Sequence, residues 1–328
     1  MSSNLLSARV HQLRFEAVGV LGVELRPADS GAAFPPVEAG AHVDVHLPDG
    51  VVRSYSLSNM PGETHRYVLG VLHDAKSRGG SRFIHEHLRV GAVIGLTQPH
   101  NHFKLDESGE VSVLVAGGIG ITPLLSMLRQ LAAQRRKAYL IYCARSRAQA
   151  GFLDELTALA SADISIALHF DDESGGPPDL VALLEPFVSD AAHFYACGPG
   201  PMLAAYEEAC VALGQAHVHL ERFAAPPSAQ GDTQTPVTES REYVVELRRS
   251  KRTIIVKPGQ TLLNAVLDAG MAANYSCCEG ICGACETPVL EGDVEHLDSL
   301  LNDEERAASK TMMICVSRAK SDRLVLDM

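Results

Sequence analysis

Four cysteines near the carboxyl end, Cys277, Cys282, Cys285 and Cys315, stand in the pattern C-x4-C-x2-C-x29-C. Thiolates are soft ligands that suit iron–sulfur sites, and this spacing is the plant-type arrangement for a [2Fe–2S] cluster. Gly280 and Gly283 lie between the first three. They let the loop wrap closely and leave amide N–H groups to face the sulfurs. Two other readings stay open. A structural zinc site of four cysteines usually comes as two short pairs, and only Cys282 and Cys285 make one. Buried structural thiols are the other reading, against which the Gly-rich polar loop argues. Cys278 fits no ligand position.

Two further segments have the chemistry to hold an anion. Gly117–Gly118–Ile119–Gly120–Ile121–Thr122–Pro123 joins the apolar run VSVLVAGG to the helically spaced PLLSMLRQLAAQ. Its glycines allow backbone to approach a pyrophosphate, Thr122 is placed to cap the helix, and Pro123 suits the first helical position. The alternative is tight turn packing. The third glycine of the dinucleotide fingerprint is replaced by Pro123, so the segment is not that fingerprint. Gly79–Gly80–Ser81, following Arg78, opens a helical piece that runs to Leu88. Free amides and a hydroxyl there favour an anion. Arg53–Ser54–Tyr55–Ser56–Leu57–Ser58, taken alone, reads equally as a surface strand with alternating polar residues.

Three kinds of texture position these residues. Residues 1–107 carry short alternating runs, Val43–Val45–Leu47 and Tyr67–Leu69–Val71 among them, separated by Gly/Pro/Asp turns. That pattern predicts a small antiparallel β-barrel. Residues 108–225 alternate strand with helix: VSVLVAGG, AYLIYCARS, ISIALHF and HFYACGP are strands, and GFLDELTALAS and PMLAAYEEACVAL are helices. AHVHLERF closes this α/β unit, in which a parallel sheet holds ligands at the carboxyl ends of its strands. Residues 226–240, rich in Pro, Ser, Thr and Gln, read as a linker. Residues 241–328 follow as a smaller α+β domain: a hairpin from REYVVELRR and RTIIVKPG, a helix from TLLNAVLDAG, the cysteine loop, and two closing strands.

The 328 residues carry a formal charge of −12 with no long Lys/Arg run, which makes the chain a poor nucleic-acid or anionic-membrane binder. Its 46% hydrophobic and 21% charged residues exclude fibrous and wholly disordered classes. The first residues lack a basic stretch followed by an apolar core, so no secretory signal is expected. Val111 to Leu128 is free of charge, but its three glycines and Pro123 suit strand, turn and helix better than a membrane span. A soluble, cytoplasmic protein is the expectation, and nothing in the sequence demands a dimer. Trp is absent, so stacking on a cofactor falls to Tyr and Phe.

The tail SCCEGICGAC with CVSRAKSDRLVLDM resembles plant-type ferredoxin domains of the β-grasp type. The order barrel, parallel sheet, ferredoxin resembles the phthalate dioxygenase reductase family, which includes vanillate demethylase reductases. That resemblance implies FMN, NADH and a [2Fe–2S] cluster. Arg53-x-Tyr55-Ser56-Leu57 is similar to the family's flavin motif, with Arg53 serving the phosphate, Tyr55 the ribityl and ring region, and Ser56 with the following backbone the ring edge. Gly79, Gly80 and Ser81 match its FMN-phosphate stretch, and Pro99–His100–Asn101–His102–Phe103 its domain-closing motif. Gly117, Gly118, Gly120, Thr122 and Pro123 match the GGxGxTP of ferredoxin-reductase-like proteins. Ala196–Cys197–Gly198–Pro199 with Met202 matches their second nucleotide motif, which sets Cys197 beside the nicotinamide; the plainer reading of Cys197 is a buried strand-end thiol. Phe223 corresponds to an aromatic that lies against the flavin in relatives, and reads equally as ordinary packing.

Arg145 and Arg147, at the end of the second parallel strand, taken bare would favour a 2′-phosphate and hence NADPH, since no acidic residue follows to bond a ribose 2′-hydroxyl. The family resemblance implies NADH, with Arg145 at the nucleotide. Histidine pairs at His85/His87, His100/His102 and His217/His219 lack a recognisable third metal ligand and read as structural or solvated. The segment Cys277–Glu305 holds nine Asp/Glu and no Lys/Arg. It reads as a solvated face or as a rim steering a basic partner.

The resulting expectation is hydride transfer from NADH to FMN, then single electrons through the cluster to a Rieske-type non-haem iron oxygenase. Cys197, Ser56 and Phe223 lie nearest the chemistry in this reading. One alternative keeps the path but feeds a haem monooxygenase or separate carrier. Another treats the chain as a ferredoxin-like binding module with a vestigial nucleotide half.

Overall fold

The computed structural model describes residues 5–74, 77, 79–224 and 241–328. Arg78 and the expected linker at 226–240 lie outside the described residues. Two compact units emerge, one ending at Arg222 and one beginning at Phe223.

The first unit opens with strands β1 (Leu6–Ala17), β2 (Val20–Pro27), β3 (His42–His46), β4 (Val52–Ser56) and β5 (Tyr67–Leu72), helix α1 (Gly80–Glu86) and strand β6 (Val93–Leu96). The strands form one antiparallel sheet in the order β4-β3-β6-β1-β2-β5. A bridge between Leu57 and Leu69 joins its two edges into a barrel. Closure removes the exposed edges that an open sheet would leave. Val43, Val45, Leu69 and Val71, on the alternating positions of their strands, are buried in its interior with Tyr67 and Leu96. Tyr67 stacks on Phe34 and donates its hydroxyl to Pro35 O at 2.7 Å, so its one polar atom is satisfied.

Next come β7 (Val111–Gly117), α2 (Ile121–Ala133), β8 (Lys137–Ala144), α3 (Leu153–Leu159), β9 (Ile164–Phe170), α4 (Asp171–Ser174), α5 (Leu180–Leu184), β10 (Ala192–Gly198), α6 (Gly200–Leu213) and β11 (Val218–Arg222). The five strands are parallel in the order β11-β10-β7-β8-β9. One face packs on α2 and α3, the other on α5 and α6. The uncharged stretch from Val111 to Leu128 becomes β7 and the buried first half of α2. Among the described residues no helix is long and apolar enough to cross a membrane.

Barrel and parallel sheet share apolar packing, for Ala17, Val20 and Ala39 belong to the same buried cluster as Leu124, Leu128 and Tyr142. Gly70, in the middle of β5, makes this approach possible. A Cβ there would stand 2.6 Å from Thr122 Cγ2 and 2.9 Å from the Phe152 ring. Asn101 donates to Ala39 O at 2.9 Å and His100 pairs with His42, tying the expected domain-closing segment back to the barrel.

The second unit contains β12 (Tyr243–Leu247), β13 (Arg252–Val256), α7 (Leu262–Asp268), β14 (Glu286–Glu291), β15 (Val294–Glu295), α8 (Asp303–Ala308), β16 (Thr311–Met313), β17 (Arg318–Ala319) and β18 (Arg323–Leu326). Its mixed sheet has the order β13-β12-β18-β14-β16, with β12 and β18 parallel. Leu262, Leu263 and Val266 of α7 pack on Val245, Leu247 and Leu326, the β-grasp arrangement. Thr261 caps α7 through its side chain on Asn264 N, 3.1 Å. The two closing strands expected after Ile314 are β17 and β18, with Ile314–Cys315 in a turn that follows β16.

Candidate active site and metal centre

At the carboxyl ends of β7 and β10 the two glycine motifs pack directly on each other. A Cβ on Gly120 would stand 2.1 Å from Cys197 O, and one on Gly198 would stand 3.0 Å from Gly117 Cα. Met202, on α6, lies over both: Gly117 and Gly198 each leave room for its thioether end. Pro199 precedes the first residue of α6 and Pro123 is the third residue of α2. Pro123 therefore does not open its helix as expected, although its missing N–H still falls among the four unpaired donors of the first turn. Thr122 does not cap either. Its hydroxyl donates to Ile119 O at 3.0 Å, while Gly120 occupies the cap position without a side-chain bond. Gly118 adopts φ +52°, the left-handed conformation that suits glycine.

The flavin-motif residues lie on β4 and just beyond it. Ser54 donates to Asp44 Oδ1 at 2.5 Å, and Leu57 is fully buried with its N–H on Ala41 O at 2.8 Å. Burial pushes the Tyr55 hydroxyl up to about 12, with Arg53 opposing the shift. The Arg53 stem crosses the start of α1, where a Cβ on Gly80 would come within 2.5 Å of Arg53 Cγ. Gly79, at φ +99°, precedes α1 and supplies no side-chain cap. Ser81 does not turn its hydroxyl wholly outward, since Asp74 N donates to it at 3.3 Å. A guanidinium stem laid over the backbone at the start of α1, in a cradle that a Cβ would fill, is a donor set that fits the phosphate of FMN.

Barrel and sheet meet at a cluster that sequence reasoning left incomplete. Ser56, buried, donates to Glu221 Oε2 at 3.5 Å. Glu221 sits on β11 in register with Cys197 on β10. Desolvation pushes the Glu221 carboxyl up to about 8 against the opposing hydrogen bond from Ser56. Cys197 has no exposed surface, and burial first, then Glu221, drives its thiol well above the usual range. Burial thus favours the neutral forms of both Cys197 and Glu221. Glu221 carried no sequence signal beyond its place beside Phe223. Phe223 itself follows β11 with 42% of its surface exposed. Arg145, exposed, accepts at its carbonyl from Asp172 N at 3.1 Å.

In the second unit, Cys282, Cys285 and Cys315 are buried, Cys277 is half-buried, and Cys278 is exposed with φ +57°. Cys277 N donates to Cys282 Sγ at 3.5 Å and Glu279 N to Cys277 Sγ at 3.3 Å. Hydrogen bonds from the Cys282 and Cys315 thiols hold Cys277 well below the ordinary thiol range, and Cys315 does the same for Cys285. Four mutually hydrogen-bonded thiols with backbone N–H donors aimed at sulfur fit a [2Fe–2S] cluster. Gly280 is required here: a Cβ would strike Val316 Cγ2 at 2.6 Å and Asp298 Cα at 3.0 Å.

The acidic stretch around this loop does not form one continuous rim. Glu291 pairs with Arg248 and Arg323, and Glu295 takes both arms of Arg318 at 2.6 and 3.1 Å. Asp298 is buried and caps the backbone at Leu300 and Leu301, and Glu305 closes a capping box with Asn302. Glu286, Asp293, Asp303 and Glu304 remain exposed.

Residues 245–320 match the 2Fe-2S iron-sulfur cluster binding domain family and residues 114–208 the oxidoreductase NAD-binding domain family. The chain is similar to the phenoxybenzoate dioxygenase subunit beta of Ectopseudomonas oleovorans, 48% identical over 98% of this chain and 97% of that one. It is 34% identical to the solved phthalate dioxygenase reductase, described as a modular structure for electron transfer from pyridine nucleotides to [2Fe-2S]. That likeness covers 99% of this chain and 98% of that one at a TM-score of 0.68. An intact type IV self-sufficient cytochrome P450 monooxygenase is 38% identical at a TM-score of 0.88. The chain covers 99% of itself in that match but spans only 41% of the P450.

Proposed function

Because the chain belongs to the phthalate dioxygenase reductase family, we propose that it is the NADH-dependent reductase component of a Rieske-type oxygenase or O-demethylase system. Electrons run from NADH to FMN to [2Fe–2S] to the oxygenase. The observation that carries this reading is the joint between barrel and sheet, where the flavin-motif Ser56 meets Glu221 in register with Cys197 of the nucleotide motif.

When bound, FMN exchanges paired for single electrons and the cluster takes them singly. The chain's own work is placement. Arg53 and the amides at Gly80 and Ser81 would hold the phosphate, Tyr55 would cover the flavin side chain and ring, and Ser56 would face the ring edge, whereas Leu57, fully buried with its N–H on Ala41 O, supports β4 from inside the barrel. Gly117, Gly118, Gly120, Gly198 and Pro199 let backbone approach the dinucleotide, with Met202 packed behind them. Cys197, held neutral by burial, excludes water from the strand end, and burial favours the protonated form of Glu221 there. Two donors on α2 fix its distance to the flavin motif: Ser126 donates to Asn59 O at 3.0 Å and Arg129 to Ser58 O at 2.7 Å. Donor and acceptor atoms must come to about 3–3.5 Å for hydride transfer, so such rigidity is part of the chemistry. Cys277, Cys282, Cys285 and Cys315 hold the cluster.

The oxygenase partner meets the cluster unit, and Glu286, Asp293, Asp303 and Glu304 steer a basic surface toward it. The protein works as a cytoplasmic monomer in this reading. Anaerobic titration with NADH and NADPH in parallel tests it: flavin bands and a broad brown absorbance should bleach together with NADH. A colourless protein, or one holding zinc without iron and sulfide, overturns the reading.

A further inference from the structure

The two arginines after β8 pose a problem for an NADH enzyme, since a guanidinium fork is a natural partner for a 2′-phosphate. The structure shows what Arg147 is doing instead. Its Nε and Nη2 donate to Glu173 Oε1 and Oε2 at 3.2 and 3.3 Å, a bidentate pair along one edge of the guanidinium. Its guanidinium also lies 4.4 Å from the centre of the Phe170 ring, which fixes its plane. Glu173 follows Asp171 and Asp172 on α4, directly after β9.

Register places this group next to the nucleotide glycines. Gly117 pairs with Cys143, Cys143 with His169, and Ala144 with Phe170. The Asp172 N–H bonded to Arg145 O ties the two strand ends together. Asp171 Oδ1 lies 3.5 Å from His169 Nε2, so its carboxylate sits at the end of β9. The carboxyl end of the second strand of such a sheet is where a dinucleotide's adenosine ribose lies. The corner therefore presents three carboxylates, one of them against His169, and one engaged arginine, with Arg145 beside them.

Resting on the NADH reading above, we propose that α4 selects NADH over NADPH, with Glu173 as the determining residue. Glu173 occupies the Nε–Nη2 edge of Arg147 and neutralises the charge that a 2′-phosphate would seek. Asp171 and Asp172 repel the phosphate that approaches, while an unmodified 2′-hydroxyl meets no such opposition. The Arg147–Glu173 pair is more than half exposed on both sides, so its effect is moderate and falls with salt.

The test uses the full, cofactor-loaded chain and two probes, adenosine 2′,5′-bisphosphate and 5′-AMP, with binding followed by calorimetry. In Glu173→Gln, the affinity ratio of bisphosphate to 5′-AMP should rise about five- to tenfold at low salt, a gain that shrinks at high salt. The NADPH-to-NADH ratio of kcat/KM should rise with it. Adding Arg147→Gln should cancel the gain, which a loss of folding cannot imitate. An unmoved probe ratio in a parent that prefers NADH overturns the proposal alone. A gain that survives Arg147→Gln also overturns it. A parent that prefers NADPH overturns both the proposal and the NADH reading.

Discussion

Two cysteine environments in this chain push the same side chain in opposite directions. Cys197 ends a fully buried strand, and loss of water drives its thiol up toward the neutral form. Cys277 lies in a loop where neighbouring thiols and the amides of Ile281 and Glu279 donate to its sulfur, and it is driven down toward thiolate. Burial alone therefore does not decide what a cysteine does, for Cys285 is buried and yet held below the ordinary thiol range by the Cys315 thiol, while buried Cys282, which donates to Cys277, is raised. Whether the sulfur accepts or gives the shared proton decides it. A strand supplies no donor, because its amides serve the neighbouring strands. A loop held open by positive-φ glycines supplies several.

Breaking the thiolate side should have the largest effect. Cys282→Ser is expected to reduce iron and sulfide content and cytochrome c reduction to background, with the barrel and parallel sheet still folded by circular dichroism. Gly120→Ala attacks the other side by driving a methyl into the Cys197 carbonyl, with no flexible neighbour to yield. A loss of at least about 2 kcal/mol in denaturant unfolding is expected, together with a higher KM for NADH. Cys197→Ala removes the neutral thiol without that clash. Flavin reduction by NADH in stopped flow should slow roughly tenfold through misplacement, with the cluster's absorbance intact.

Glu221 offers a pH test of the same buried strand end. Its folded-state carboxyl titrates near 8, above the ordinary carboxylate range. Its contribution to stability is therefore complete below that range and lost as pH rises through about 8. Thermal stability should fall over that window by at most about 1.4 kcal/mol per pH unit from this group. Glu221→Gln should flatten the decline, and an equally steep decline in the variant would refute the assignment. Smallest of all, Cys278→Ser should leave iron content and stability within about 0.5 kcal/mol, because that side chain is exposed.

The cluster loop was legible because three of its ligands fall within nine residues, so spacing alone expresses its geometry. The strand-end site was legible only in halves. Ser56 and Glu221 are 165 residues apart, and no local pattern links a strand in a barrel to the last strand of a sheet. Arg147 showed the same weakness: its charge was visible but its partner Glu173, one strand over, was not. Helices α4 and α5 were missed because each is too short to show a helical period and Gly175, Gly176, Pro177 and Pro178 interrupt them. Helix α8 did carry a signal, the Asn302-x-x-Glu305 capping box, but its six residues include no buried one. The acidic run was legible only as charge, since sequence does not show that Glu291 and Glu295 pair with arginines of other strands.

Gly70 bears on how this chain can be taken apart. A barrel strand that leaves space for Thr122 and Phe152 is shaped for one particular neighbour. A chimera joined near residue 107 would confront that notch with foreign side chains, and an isolated barrel would leave Ala17, Val20 and Ala39 without the apolar surface they share. Anyone dissecting the protein should treat the first 222 residues as a single indivisible cassette.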